Sequence, residues 1–180
     1  RIVSVEIPVR LDAPIREARS AVLQALERVE GLLSGRGMTS VRKTVLNQIR
    51  NEESGIKNER IVLLDTLGEL DQYYAIGDLV FVGGSLVLIG GHNVLEAAAH
   101  RKPVFFGPHM SNFKEIADQL KGSGGGIEIR DGKEMGLQMV WLMQHPDEMK
   151  IRGESAYQVV LANRGAVIRN FEQVARWIEN

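Results

Sequence analysis

The sequence predicts an α/β fold, a Rossmann-like parallel sheet flanked by helices, and two observations carry the prediction. From Ile56 onward, short β-branched runs alternate with amphipathic stretches, the pattern of parallel strands joined by helical crossovers. One of those runs, Leu79 to Val82, lacks polar alternation, as a strand buried on both faces does.

Taken in order, Ile2 to Val9 reads as a strand because Val3, Val5 and Ile7 alternate. Ile15 to Leu33 reads as one helix ending near Gly35. Val41 to Ile49 fits strand or helix, and Asn51 to Asn58 is a polar loop. Ile61 to Leu64 is the next strand. It is followed by a short helix, Gly68 to Ile76, with Leu70, Tyr73 and Tyr74 on its apolar side. Leu79 to Val82 leads into a helix from His92 to His100. Pro103 to Phe106 is a strand, Asn112 to Lys121 a helix, and Ile127 to Ile129 a strand entered through a flexible glycine stretch, Gly122 to Gly126. The rest reads as helical. Lys133 to Gln144 carries Leu137, Val140 and Trp141 at helical spacing and is ended by Pro146. Glu148 to Ala162 follows, and a last helix repeats Val167, Phe171, Val174 and Ile178 as one apolar stripe.

The bulk properties exclude several classes. The 180 residues fit one ordinary domain or one lobe of a larger protein, and 44% hydrophobic content is enough for a core. With 22 basic and 23 acidic residues the chain lacks the basic footprint of a nucleic-acid binder, and clusters such as Arg42-Lys43 read as solvated surface. There are no cysteines, hence no disulfides and no thiolate metal sites. The four histidines form no His-x-x-x-His pair. The longest apolar run, Leu79 to Ile89, is interrupted by Gly83, Gly84 and Ser85 and is too short for a bilayer. The chain begins without a methionine or signal peptide and reads as a piece of a longer protein.

Four segments could carry chemistry. Phe81-Val82-Gly83-Gly84-Ser85 ends a buried strand in two glycines, which permit a sharp turn and close approach of a ligand to the main chain. Gly90-Gly91-His92-Asn93 precedes a helix whose first amides are donors for a phosphate. Asn93 suits a helix cap. Glu96 stands where a capping box places a glutamate, and the same geometry lets its carboxylate accept from a ribose diol; both readings are open. Asp65-Thr66-Leu67-Gly68-Glu69-Leu70 is either a capped helix start, with Asp65 or Thr66 as cap, or a loop whose main chain reads a base edge. His109, in Phe105-Phe106-Gly107-Pro108-His109, is either an exposed loop histidine or an anion ligand, and His92 is the stronger candidate. There is no Ser-His-Asp order, metal-ligand cluster or Walker loop.

These segments occur together as Asp65-Thr66-Leu67-Gly68-Glu69-Leu70, Phe81-Val82-Gly83-Gly84-Ser85-Leu86, Gly90-Gly91-His92-Asn93-Val94-Leu95-Glu96-Ala97-Ala98 and Gly107-Pro108-His109…Asn112-Phe113. In that order and spacing they resemble the C-terminal half of bacterial 3-deoxy-D-manno-octulosonic acid (Kdo) transferases, from roughly Glu27 to the end. The resemblance implies a two-lobed GT-B glycosyltransferase that transfers Kdo from CMP-Kdo to a lipid A precursor, inverting the anomeric centre without metal or other cofactor. It places Leu67, Gly68 and Glu69 near the cytidine. It places Gly91, His92, Asn93, Val94, Leu95 and Glu96 around CMP, with Glu96 on the ribose, and adds Ser85 to the donor-binding set.

There are two departures from the family. Its Pro-Arg-His segment is replaced here by Ala25-Leu26-Glu27-Arg28, so an arginine contact to the nucleotide is not matched, and residues Arg1 to Gln24 do not resemble it. The N-terminal lobe, which in this family binds the acceptor and supplies the catalytic carboxylate, is missing, so no catalytic residue is assigned. The expectation is a single nucleotide-sugar-binding domain over residues 1–180. It would be soluble as a piece of a protein that works at the cytoplasmic face of the bacterial inner membrane in lipopolysaccharide biosynthesis, with no nucleic-acid partner. The terminal apolar stripe would pack on the lobe or across the interlobe gap, where its exposure would favour a weak dimer. The alternatives are a GT-B lobe for a UDP- or GDP-linked sugar, or a non-enzymatic α/β interaction module.

Overall fold

The computed structural model describes residues 27–42, 61–64, 66 and 68–164. The expected strand Ile2 to Val9, the polar loop Asn51 to Asn58, Asp65, Leu67 and the last helix lie outside the described residues. The chain divides into two compact units, residues 1–77 and 78–180.

In the first unit, residues 27–34 are helical and turn at 35–37, the helix end expected near Gly35. β1 (Ser40–Arg42) pairs in parallel with β2 (Ile61–Leu63), in the register Ser40 to Ile61 and Arg42 to Leu63. The start of the ambiguous Val41 to Ile49 segment is therefore strand. Arg42 is not a solvated basic residue. It grips the Glu30 carboxylate through Nε at 2.8 Å and Nη2 at 2.7 Å, a bidentate pair that ties the helix to the strand. α1 (Leu70–Ile76) buries Tyr74, and its N-cap is Glu69, which makes no side-chain cap. Thr66 therefore does not cap the helix; its hydroxyl donates to the Glu69 carboxylate.

The second unit holds a three-stranded parallel sheet in the order β3 (Val80–Phe81), β4 (Val104–Phe106), β5 (Gly126–Glu128). Phe81 pairs with Phe105, and Phe105 with Ile127. Three consecutive apolar residues make β4 fully buried, because successive side chains leave on opposite faces and both faces are covered. On one side Phe105 packs with Ile129 and with Leu142 of α4 (Gly132–Gln144), alongside Met135 and Met139. On the other, Phe106 lies close to Leu120 of α3 (Lys114–Ser123), where the two converge on Gly126. α2 (Val94–Ala99) joins β3 to β4, and α5 (Pro146–Asn163) packs on α2 and α3.

Two local expectations are corrected, and a third gains its physical reason. Gly122 to Gly126 is not simply a flexible stretch. Gly124 caps α3 with φ +82°, and Gly125 lets α5 approach so closely that a Cβ there would lie 2.3 Å from the Ala156 amide nitrogen. Leu137, Val140 and Trp141 share a face of α4, but it is the outer one, and they are 66%, 55% and 42% exposed. Met135, Met139 and Leu142, spaced four and three residues apart, take the inner face instead. Pro146 ends α4 by opening α5, since a proline at the first helical position has no amide to lose.

Candidate functional site

The site is built on the loop that leaves β3 and returns at α2. Two clamps hold its base. Gly91 N–H donates to Gly84 O at 3.1 Å, closing the loop on itself. The Ser85 hydroxyl, fully buried, donates to Val82 O at 2.6 Å and accepts from Gly107 N–H at 2.8 Å. Ser85 O then accepts from His109 N–H at 2.9 Å. A hydroxyl has one proton and two lone pairs, so Ser85 spends its proton and one acceptor site joining the β3 loop to the end of β4.

The glycines are required by what they touch. Gly91 has φ +71°, and a Cβ there would come within 2.3 Å of the Met110 sulfur; Gly90 has φ +102°, and a Cβ there would lie 2.5 Å from the Asn112 side-chain amide. The His92 ring lies over Gly84, where a Cβ would meet its Nε2 at 3.2 Å. The loop is thus folded against its neighbours at Gly84, Gly90 and Gly91.

α2 begins at Val94, two residues later than the sequence predicts, with Asn93 as its cap. Asn93 Oδ1 accepts from Leu95 N–H at 3.1 Å, and Asn93 Nδ2 donates to Glu96 Oε1 at 3.1 Å. Glu96 is exposed and is oriented by the cap side chain, not by the cap's main chain as in an ordinary capping box. Val94 is fully buried, so it can offer a ligand only main-chain groups. A helix of six residues sums few peptide dipoles, which leaves anion binding here to the loop's own polar groups.

Ser85 and Gly91 to Glu96 therefore lie in one folded loop and the first turn of α2. Gly68 and Glu69 belong to the first unit. There Gly68 has φ +80° with open space where a Cβ would stand, and the Glu69 carboxylate is held by Thr66.

Beside the loop, at the carboxyl ends of β4 and β5, is a cavity of about 370 Å³ lined by Leu88, Gly90, Gly107 to Ser111, Lys114, Asp118 and Glu128 among others. This is the edge at which open α/β sheets bind ligands. Lys114 Nζ lies 2.7 Å from Asp118, whose hydrogen bond and charge raise the lysine pKa, so the ammonium stays protonated. Lys121 pairs with Glu128 at 2.8 Å. The sequence singled out His109 but not Ser111 or Lys114, because a serine and a lysine at a helix start are ordinary surface residues until the cavity puts them together. Among the described residues, no group of three His, Cys, Asp or Glu side chains could hold a metal ion, and no helix is long and apolar enough to cross a membrane.

No protein-family model matches the chain. It is 35% identical over 152 residues to the 3-deoxy-D-manno-octulosonic acid transferase of Haemophilus influenzae, covering 84% of this chain and 34% of that protein. To the same transferase of Bordetella pertussis it is 34% identical over 118 residues, covering 66% of this chain and 28% of that protein. The chain is similar to one part of these Kdo transferases. It spans about a third of the length of these curated relatives. Its fold matches the crystal structure of the C-terminal CMP-Kdo binding domain of WaaA from Acinetobacter baumannii, with a TM-score of 0.68 at 24% identity, covering 76% of this chain and 68% of that one. The shared fold bears out the parallel sheet flanked by helices that the alternating β-branched and amphipathic runs predict.

Proposed function

We propose that this chain is the donor-binding half of an inverting glycosyltransferase, which moves Kdo from CMP-Kdo to a lipid A precursor in lipopolysaccharide biosynthesis. The observation that carries the proposal is the clamped glycine loop at the carboxyl end of β3, which presents Asn93 and an exposed Glu96 at the start of α2. CMP is held by Gly91 to Glu96, with Glu96 accepting from the ribose hydroxyls and the loop's polar groups meeting the phosphate. Leu67, Gly68 and Glu69 are assigned to the cytosine by the family resemblance alone. Ser85 serves the site by holding the loop in shape.

The reaction on this reading is a direct displacement. A base activates an acceptor hydroxyl, the hydroxyl oxygen attacks the anomeric carbon of Kdo, and CMP leaves with the bonding pair. The lobe described here stabilises the charge on the departing phosphate. The base is assigned to the two-thirds of the relatives' length that this chain does not span, at the cytoplasmic face of the inner membrane where the acceptor lies. The chain by itself is therefore expected to bind donor and transfer nothing.

Titration with CMP, UMP, UDP and GDP, followed by amide NMR, tests the reading. CMP is expected to shift Gly91 to Glu96 and Gly68 at lower concentration than the other three. A preference for UDP or GDP would assign the lobe to another nucleotide sugar. No response to any nucleotide would leave an interaction module.

A further inference from the structure

α2 crosses from the nucleotide loop at one end of the sheet to the start of β4 at the other, and its far end is held under strain. Arg101, which follows the helix there, has φ +56° and is the one residue other than glycine with a positive φ among the described residues. An arginine in this left-handed region carries a steric strain that a glycine does not. Its main chain is also pressed by α5. A Cβ on Gly153 would lie 2.1 Å from Arg101 O, so the backbones of α5 and of this turn meet directly.

The side chain explains why an arginine stands where a glycine would fit without strain. Arg101 Nη1 donates to Glu154 Oε2 at 2.9 Å, and the guanidinium carbon stands 4.0 Å from the centroid of the Tyr157 ring. Glu154 and Tyr157 are three residues apart and so share one face of α5. The guanidinium thus uses its edge on one and its face on the other, which a lysine ammonium cannot do. α2 packs on α5, and the buried residues of the two helices are small: Val94, Ala97 and Ala98 on one, Gly153, Ala156 and Val159 on the other. Short side chains let helices approach closely but form shallow ridges, so they set spacing better than register.

We infer that Arg101 is a positioning residue: by gripping α5 it fixes the register of α2, and with it the places of Asn93 and Glu96 at the nucleotide site. The helix has six residues, about 9 Å at 1.5 Å each, and a slip at its end reaches its start undiminished because it moves as a rigid body. The inference rests on the nucleotide-binding reading and adds to it a residue at the opposite end of α2 from the site.

The test compares the full 180-residue chain with its variants in CMP affinity, thermal midpoint and hydrogen exchange at the Gly91 amide, which donates to Gly84 O just ahead of α2. Arg101→Gly removes the grip and the strain together, so its midpoint is expected to stay within about 3 °C of the wild type. Its CMP affinity is expected to fall about fivefold, the scale of one exposed cation–π contact, and its Gly91 amide to exchange faster by a similar factor. Tyr157→Leu, which leaves the arginine charge in place, is expected to lower CMP affinity about threefold, and Tyr157→Phe, which keeps the ring face, to bind CMP as the wild type does. Unchanged CMP affinity in Arg101→Gly overturns the inference. So does a loss in Arg101→Gly with none in Tyr157→Leu, which would make the charge act on the nucleotide through space. A loss that comes only with a midpoint lowered by more than about 6 °C marks a general loosening and overturns it as well. In each of those cases CMP still binds the wild type and the nucleotide reading stands. If the wild type binds no CMP, that reading fails, and exchange at Gly91 decides the positioning: a faster rate in Arg101→Gly supports it and an unchanged rate overturns it.

Discussion

Gly107→Ala is expected to lower the thermal midpoint of the chain by about 10 °C and to abolish nucleotide binding. A Cβ at this position would lie 2.3 Å from Ser85 O, 2.5 Å from Ser85 C and 2.7 Å from Leu86 N. All three neighbours are main-chain atoms, so no side chain can swing aside. Ordinary contact returns only if the β3 loop retreats by about 1 Å. That retreat stretches the bond from Gly107 N–H to the Ser85 hydroxyl, now 2.8 Å, and the one from His109 N–H to Ser85 O, now 2.9 Å, beyond useful length. Overpacking of this kind costs about 1–3 kcal/mol, and each lost bond adds about 1 kcal/mol. In a chain of this size each kcal/mol moves the midpoint by about 2–4 °C.

Ser85→Ala separates the clamp from the clash. It removes the hydroxyl and leaves the Gly107 amide and Val82 carbonyl buried without it, at a cost of about 1–3 kcal/mol, but introduces no steric conflict. Its midpoint is therefore expected to fall by about half as much, with nucleotide binding weakened and not lost. The double variant is expected to be less destabilised than the sum, since both changes break the same joint. Calorimetric midpoints for the three variants check this. If Ser85→Ala proved the more damaging substitution, the main-chain contact at Gly107 would not be what shapes the loop.

The joint also marks how far the sequence could be read. β3 and β4 were legible because Val80-Phe81-Val82 and Val104-Phe105-Phe106 are continuous apolar runs, and only a strand covered on both faces uses such runs at that length. Gly83, Gly84, Gly90 and Gly91 marked the loop, since they interrupt the apolar run, and at Gly90 and Gly91 a Cβ would crowd Asn112 and Met110. The function of Ser85 was not legible. Its partners are three and 22 residues away, and a serine after two glycines has the same appearance whether it meets a ligand or a buried amide. The exposed face of α4 was hidden for a similar reason. Leu137, Val140 and Trp141 form as good a stripe as Met135, Met139 and Leu142, and only the sheet decides which one packs inward. The cavity needs residues 88–90, 106–118 and 128 in one place, and no local pattern encodes that.

Glu96 was legible as a position and ambiguous as a role, and the structure sharpens how the two roles can be separated. Its carboxylate accepts from Asn93 Nδ2, but the cap itself is the bond from Leu95 N–H to Asn93 Oδ1, which does not involve Glu96. Glu96→Ala should therefore leave the helix start intact and change stability by no more than about 0.5 kcal/mol, as an exposed substitution does. On the ribose reading the same change removes a charged acceptor for the sugar hydroxyls, each such bond being worth about 1.5–3 kcal/mol. CMP affinity is then expected to fall by about tenfold to a hundredfold. Deoxycytidine monophosphate, which lacks the 2′-hydroxyl, closes a cycle with this variant. The wild type should bind it about tenfold more weakly than CMP, and Glu96→Ala should bind the two alike, because the group that tells them apart is gone. Glu96→Gln keeps the shape and an acceptor oxygen but not the charge, and is expected to fall between. A variant that still prefers CMP over its deoxy form would take the ribose contact away from Glu96. A variant that keeps full CMP affinity but melts several degrees lower would return the residue to its role in the cap.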